Sequence, residues 1–227
     1  MREKTDAELG QRVHAHLLAL NLESPFLFDV VHNTKPEAKI KKITKHMEQI
    51  LDILGVDRTN DSVQDTAQRV AKMYVNETMW GMDYSNFPKV MTFANRMHYN
   101  EMVTERCLSN SLCSHHLVPI LGNVVVSYIP RGKVIGLSKL NRICEFFSRR
   151  PQEAERMTEQ IAAAVKYILE TEDVAVMVKG KHLCVSWRGV GDEDAVTLTT
   201  HLGGVYKKAE IRSEFISTAQ KLLSDCK

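Results

Sequence analysis

Apolar positions recur along the chain in two rhythms, and the change between them marks its organisation. Leu9, Val13 and Leu17 fall about one turn apart and predict a helix over residues 8–20. Residues 23–36 interrupt it with Ser24-Pro25, Asn33 and Lys35-Pro36, and read as extended connection. Residues 1–36 therefore read as an N-terminal helical and extended arm. From Glu37 the helical period returns. Ile40, Ile43, Met47, Ile50, Leu51 and Leu54 share one face, and Gly55 is a fitting stop. A second helix is expected from Asp61 or Ser62, both good N-caps. It carries Val63, Val70, Met73, Tyr74 and Glu77 and ends by Gly81. Residues 82–100 read as loop.

The second half changes character. Val124 to Ile129 is a β-branched run closed by the turn signal Pro130-Arg131-Gly132. Val134-Ile135-Gly136 continues as a short strand. Ser138 is placed as the cap of a helix carrying Leu140, Ile143, Phe146 and Phe147. Pro151 stands where a first helical residue is expected, ahead of Met157, Ile161, Val165, Ile168 and Leu169. Three more strands are expected at 174–178, 182–187 and 195–200. The order helices, strands, helices, strands predicts an α+β fold with mostly antiparallel pairing. Residues 37–227, including the helices of 37–81, read as one catalytic unit. There is no internal repeat.

Composition narrows the function classes. Of 227 residues, 44% are apolar and 26% charged, ordinary values for a globular chain able to bury its own core. Thirty Lys and Arg against 28 Asp and Glu leave a net charge of +2, which argues against a general nucleic-acid binder. No run of 18 apolar residues suggests a membrane span. Arg2, Lys4, Asp6, Glu8 and Arg12 interrupt the N-terminus, unlike a signal peptide, so the expected compartment is the cytoplasm. Cys107, Cys113, Cys144, Cys184 and Cys226 are odd in number and irregular in spacing, a poor disulfide framework. Metal binding or chemistry is the better use for some of them.

Candidate chemistry concentrates in two clusters, Cys113-Ser114-His115-His116 and His182-Leu183-Cys184. Cys-x-x-His brings a thiolate and an imidazole to one ion when the loop bends back. On a strand, His182 and Cys184 would share a face, continued by Ser186 and Arg188. Together the clusters offer two thiolates and three imidazoles. Four groups would close a structural zinc site; three would leave a position for water. The His-x-Glu and Pro-Cys-x-x-Cys of zinc deaminases are missing. Lys139 and Arg142 share a face at a helix start, where backbone N–H groups also favour anions, and together suit a polyphosphate. The common alternative for such charges is a solvated basic edge, which is also the reading for Arg149-Arg150. Glu155 near a helix start fits either the helix dipole or a guanine, whose N1 and exocyclic amine one carboxylate can bind.

These motifs, in this order, resemble GTP cyclohydrolase I. The resemblance runs from about Lys39 to Glu214. Its segments are Arg69 to Tyr74, Cys113 to His116, Tyr128-Ile129-Pro130, Val134 to Lys139, Arg149 to Gln152 with Glu155-Arg156, and His182 to Cys184 with Arg188 to Val190. It implies a tunnelling fold, an antiparallel sheet backed by helices, with sheets of neighbouring subunits joined into a barrel. It implies a homodecamer of two pentamers with active sites between subunits. The implied reaction converts GTP and water to 7,8-dihydroneopterin triphosphate and formate, at the head of pterin and folate-type synthesis. By position, it implies zinc ligands Cys113, His116 and Cys184, one ion per chain, and acid–base histidines His115 and His182. Ser138, Lys139, Arg142 and Arg188 would surround the ribose and triphosphate, and Glu155 would hold the guanine. Arg69 and Lys72 would reach a neighbour's triphosphate. Two departures stand out: Ser114 where the family usually has Glu, and Ala67 where it usually has Pro. A non-enzymatic guanine-nucleotide module with closed structural zinc is the runner-up reading. A relative acting on another pterin or purine is the third.

Overall fold

The computed structural model describes residues 4–224; Cys226 lies outside them. The helices are α1 (Ala7–Ala19), α2 (Phe28–Asn33), α3 (Pro36–Ile53), α4 (Thr66–Lys72), α5 (Leu137–Ser148), α6 (Ala154–Leu169), α7 (Leu183–Ser186) and α8 (Ala209–Ser224). The strands are β1 (Thr92–Ala94), β2 (Val103–Leu108), β3 (Ser111–Cys113), β4 (Pro119–Tyr128), β5 (Lys133–Ile135), β6 (Pro151–Gln152), β7 (Val174–His182) and β8 (Thr197–Leu202). Helix and sheet are both abundant, as the α+β expectation requires.

The main sheet runs β6-β3-β4-β7-β8, and β2 lies end to end with β3 along the same side of β4. All pairings are antiparallel except β3 with β6. β4 and β7 pair from Tyr128↔Val174 to Ile120↔His182. The continuous apolar run of β4 follows from burial on both faces. Val124, Val126 and Tyr128 join Val174, Val176 and Val178 in the core against α5 and α6. Val125, Ile129, Ala175 and Met177 face Phe215, Ala219 and Leu223 of α8. Ala162, Ala163 and Ala164, all buried, give α6 a small-residue stretch within the core.

The described part of the arm, residues 4–36, packs onto the rest of the chain. Val13 and Leu17 of α1 are fully buried in the main core. A β-carbon on Gly10 would lie 2.1 Å from the Tyr84 carbonyl, so only glycine lets α1 cross there. α3 differs: none of its residues is buried, and Ile50, Ile53 and Leu54 at its end are exposed. Gly55 follows with φ +76°, the left-handed stop expected of it.

Several local expectations give way to tertiary structure. Part of 23–36 is helical, as α2. The second helix starts only at Thr66 and passes into a π-helical turn over Met73–Thr78. Gly136, not Ser138, takes the N-cap position of α5; Ser138 is inside the helix and exposed. Pro151 pairs with Leu112 in β6, and α6 starts three residues later. The strand expected over 182–187 ends at His182. Its partner residue Ile120 is preceded by Pro119, which has no N–H to extend the ladder, and Leu183–Ser186 close one helical turn instead. Residues 82–100 are not all loop, since Thr92–Ala94 form β1 against β5, and β2, β3 and α8 likewise have no counterpart in the expectations.

Candidate metal centre and nucleotide site

Cys113 ends β3 and is buried. The chain then turns back on itself: Leu117 N–H donates to the Cys113 carbonyl and Cys113 N–H to the Val118 carbonyl, each at 2.8 Å. Leu117 holds φ +53°, an uncommon conformation for a branched residue, found where a tight loop is enforced. This loop returns His116 over Cys113, with Nδ1 4.0 Å from Sγ. The α7 turn supplies Cys184 from the other side. The ligand atoms of Cys113, His116 and Cys184 all lie within 4.8 Å of one another. A tetrahedral zinc would hold S and N donors roughly 3.5–3.8 Å apart, by simple geometry on its usual bond lengths. The donors therefore fit such an ion after closing by about 1 Å or less. The same-face argument for His182 and Cys184 fails, since His182 ends β7 and Cys184 already lies in the helical turn of α7, yet the two clusters do converge.

His115 Nδ1 is 3.8 Å from Cys113 Sγ, and its ring is inclined 70° to that of His116. Arg188 Nη1 stands 3.2 Å from His116 Nε2. A guanidinium only donates, so this contact fits a ring proton on Nδ1. An ion taken on at Nδ1 would leave Nε2 as an N–H, and Arg188 would have to release it. Burial pushes the Cys184 thiol up, and the facing Cys113 thiol adds to this, while Arg188 opposes it. Burial lowers the His182 pKa, and the nearby Glu155 carboxylate works against the shift. Glu155 is exposed in the first turn of α6.

The remaining basic candidates lie on other elements. Lys139 and Arg142 are half-buried on α5, with Ser138 beside them. Arg69 and Lys72 are exposed on α4, and their described contacts, to Asp65 at 3.5 Å and Gln68 at 3.2 Å, are local ones four residues back along the chain. No described contact joins these five residues to the Cys/His group. Arg150 departs from the solvated-edge reading: it is fully buried, stacked over Phe146, Phe147 and Tyr84, and paired with Glu23 at 3.5 Å. Ser114 is exposed, and Ala67 is buried in α4. The sequence reading also missed Ser109, Ser111 and Gln152, which surround the inner side of His182. Ser109-Asn110-Ser111 has only turn composition, so no motif marks them.

Fold and site together define the class: an α+β protein with a three-donor Cys–His–Cys group able to hold a metal ion. The family model for GTP cyclohydrolase I matches residues 43–220. GTP cyclohydrolase 1 of Vibrio cholerae is 51% identical over 183 residues, covering 80% of this chain and 84% of that protein. The Aeromonas salmonicida protein of the same name is 49% identical over 206 residues, covering 90% and 93%. That of Shewanella sp. strain ANA-3 is 45% identical over 216 residues, covering 94% and 99%. The chain belongs to the GTP cyclohydrolase I family.

Proposed function

We propose that this chain is a zinc-dependent GTP cyclohydrolase I that hydrolyses and rearranges GTP to 7,8-dihydroneopterin triphosphate and formate. The observation that carries the reading is the meeting of Cys113, His116 and Cys184 from two distant segments. These three residues would hold one zinc ion. Zinc with three protein ligands keeps a position for water and lowers its pKa to about 7.

The chain's own residues supply the rest. Opening the imidazole ring of guanine needs water at C8 and a proton at N7, followed by a second hydrolysis that releases formate. Imidazoles titrate near neutrality and suit these transfers. His115, beside Cys113, and His182, two residues before Cys184, take them. Glu155 lies close enough to influence His182 and accepts hydrogen bonds from the guanine N1 and exocyclic amine. Ser138, Lys139, Arg142 and Arg188 hold the ribose and triphosphate. Arg188, now on His116, is the natural group to transfer to phosphate when a metal occupies Nδ1.

The same reading includes the tunnelling fold, with sheets joined into the barrel of a homodecamer, and Arg69 and Lys72 serving a neighbour's triphosphate. Three features support it: β8 is an open sheet edge among the described residues, α3 leaves apolar side chains exposed, and Arg69 and Lys72 face solvent. Residues 37–227 form the catalytic unit, braced by the 1–36 arm. No helix of the described residues is long and apolar enough to cross a membrane, in keeping with a cytoplasmic enzyme. Removing metal with a chelator should abolish formate release from GTP, and zinc alone should restore it. Full turnover in demonstrably metal-free protein would refute the proposal.

A further inference from the structure

Four polar atoms converge on one small cavity beneath the proposed catalytic site. Ser109 Oγ, Ser111 Oγ, Gln152 Oε1 and His182 Nε2 are buried and have no hydrogen-bond partner among the protein atoms. All four residues line a single cavity of about 10 Å³. Ser109 is 1%, Ser111 5% and Gln152 2% exposed, so bulk water does not satisfy them. The sheet register explains the convergence. Ser111, Ile120 and His182 stand directly opposite one another across β3, β4 and β7 and so project to one face. Cys113↔Gln152 pairing brings in Gln152 from β6.

The direction of the Gln152 amide is fixed by its neighbours. Its Nε2 donates to the Phe147 carbonyl at 2.7 Å and to Gln160 Oε1 at 2.9 Å. Gln160 Nε2 in turn donates to the Leu22 carbonyl at 2.9 Å. Backbone carbonyls only accept, so neither amide can be reversed without loss, and Gln152 presents an acceptor to the cavity. Unpartnered buried polar groups are rare in native proteins because each carries a desolvation penalty. A cavity of this size admits about one water, and two to four polar partners are what a buried water needs.

We propose that this cavity binds one water molecule linking His182 Nε2 to Ser109, Ser111 and Gln152, which makes those three side chains positioning residues for the His182 ring. The water can donate to Gln152 Oε1 and exchange hydrogen bonds with both hydroxyls and the imidazole. A bridge of this kind is nearly as good as a direct hydrogen bond. It fixes how the ring meets substrate while the opposite edge stays free. The amide pair extends the support through Gln160 to the 22–24 segment of the arm. Gly180 keeps the space open: a β-carbon there would lie 3.6 Å from His182 Nε2 and 3.1 Å from Ile120 Cγ2.

The proposal rests on His182 acting in proton transfer, and the test separates the two claims. Ser111→Thr and Ser111→Val add the same bulk and differ only in the hydroxyl. In zinc-loaded enzyme with GTP, kcat of the Thr variant should exceed that of the Val variant by roughly tenfold or more, with KM and zinc content alike. A 1 Å misplacement of a catalytic group can cost ~10²-fold. Gly180→Ala, which crowds the cavity and leaves every polar group intact, should also lower kcat. Equal kcat for Thr and Val, with His182→Ala inactive, would overturn the positioning role alone. Full activity of His182→Ala would remove its foundation. A crystal structure of the unmodified zinc enzyme needs no variant: a water within hydrogen-bond distance of Gln152 Oε1 and His182 Nε2 supports the proposal, and a dry cavity overturns it.

Discussion

Replacing Glu23 by Ala should destabilise the protein more than most single changes. The Glu23 carboxylate is nearly buried. It accepts from the Tyr84 hydroxyl at 2.5 Å and from the Ser24 backbone N–H at 2.8 Å, and stands 3.5 Å from Arg150 and 3.7 Å from His14. Arg150 has no exposed side-chain surface, and three aromatic rings 4.7–5.2 Å from its guanidinium carbon hold it in place. It cannot swing out to water when its counter-ion is removed. Breaking a buried ion pair from one side costs about 3–5 kcal/mol. The Tyr84 hydroxyl, whose pKa burial already pushes up, would also lose its acceptor. For a chain of this size each kcal/mol moves Tm by about 2–4 °C, so the expected drop is roughly 6–20 °C. Thermal unfolding followed by circular dichroism, at fixed protein and zinc concentration, reads it directly. Adding Arg150→Met to Glu23→Leu should recover part of the loss, because no unpaired ion is then left buried, while the Tyr84 hydroxyl still lacks its acceptor. A drop of under about 2 °C for Glu23→Ala would mean that Arg150 finds water or another partner and is not trapped.

Further expectations concern the site. His116→Ala should lose zinc, and His115→Ala should keep it while turnover falls by ~10²–10⁴-fold; metal analysis of the two variants checks this, and the reverse pattern would exchange the ligand assignment. Zinc affinity should fall as pH falls. The Cys184 thiol is raised by burial and by Cys113, and metal binding must displace its proton, so one or two protons released means roughly 10- to 100-fold per pH unit below the thiol pKa. A competition titration between pH 6 and 8 that shows no slope would contradict it. Glu155→Gln turns one acceptor oxygen into a donor, so guanine loses a partner at about 1–3 kcal/mol, read as weaker GTP binding with zinc unchanged.

The parts of this fold that were legible in sequence are those with a local cause. The periodic face of α3, the stop at Gly55 and the β-branched run of β4 each follow from neighbouring residues. The two Cys/His clusters were legible because Cys-x-x-His and His-x-Cys are short motifs, but the motifs alone did not choose Cys113, His116 and Cys184 from the five candidates. The misreadings have tertiary causes. Pro151 looks like a helix start, but pairing with Leu112 draws it into the sheet. Residues 182–187 look like strand, but Pro119 on β4 ends the ladder. Arg150 looks like a surface charge until Glu23, 127 positions away, is brought to it by the packing of the arm. Ser109, Ser111 and Gln152 carry no signature because their shared cavity exists only once β3, β4, β6 and β7 are aligned.

Incubating zinc-loaded protein with GTP and measuring formate and oxidised, fluorescent pterin triphosphate together reads ring opening and pterin formation in one assay. Both should appear, one mole of each per mole of GTP consumed. Tight GTP binding with neither product, in protein carrying one zinc per chain, would contradict the proposed reaction.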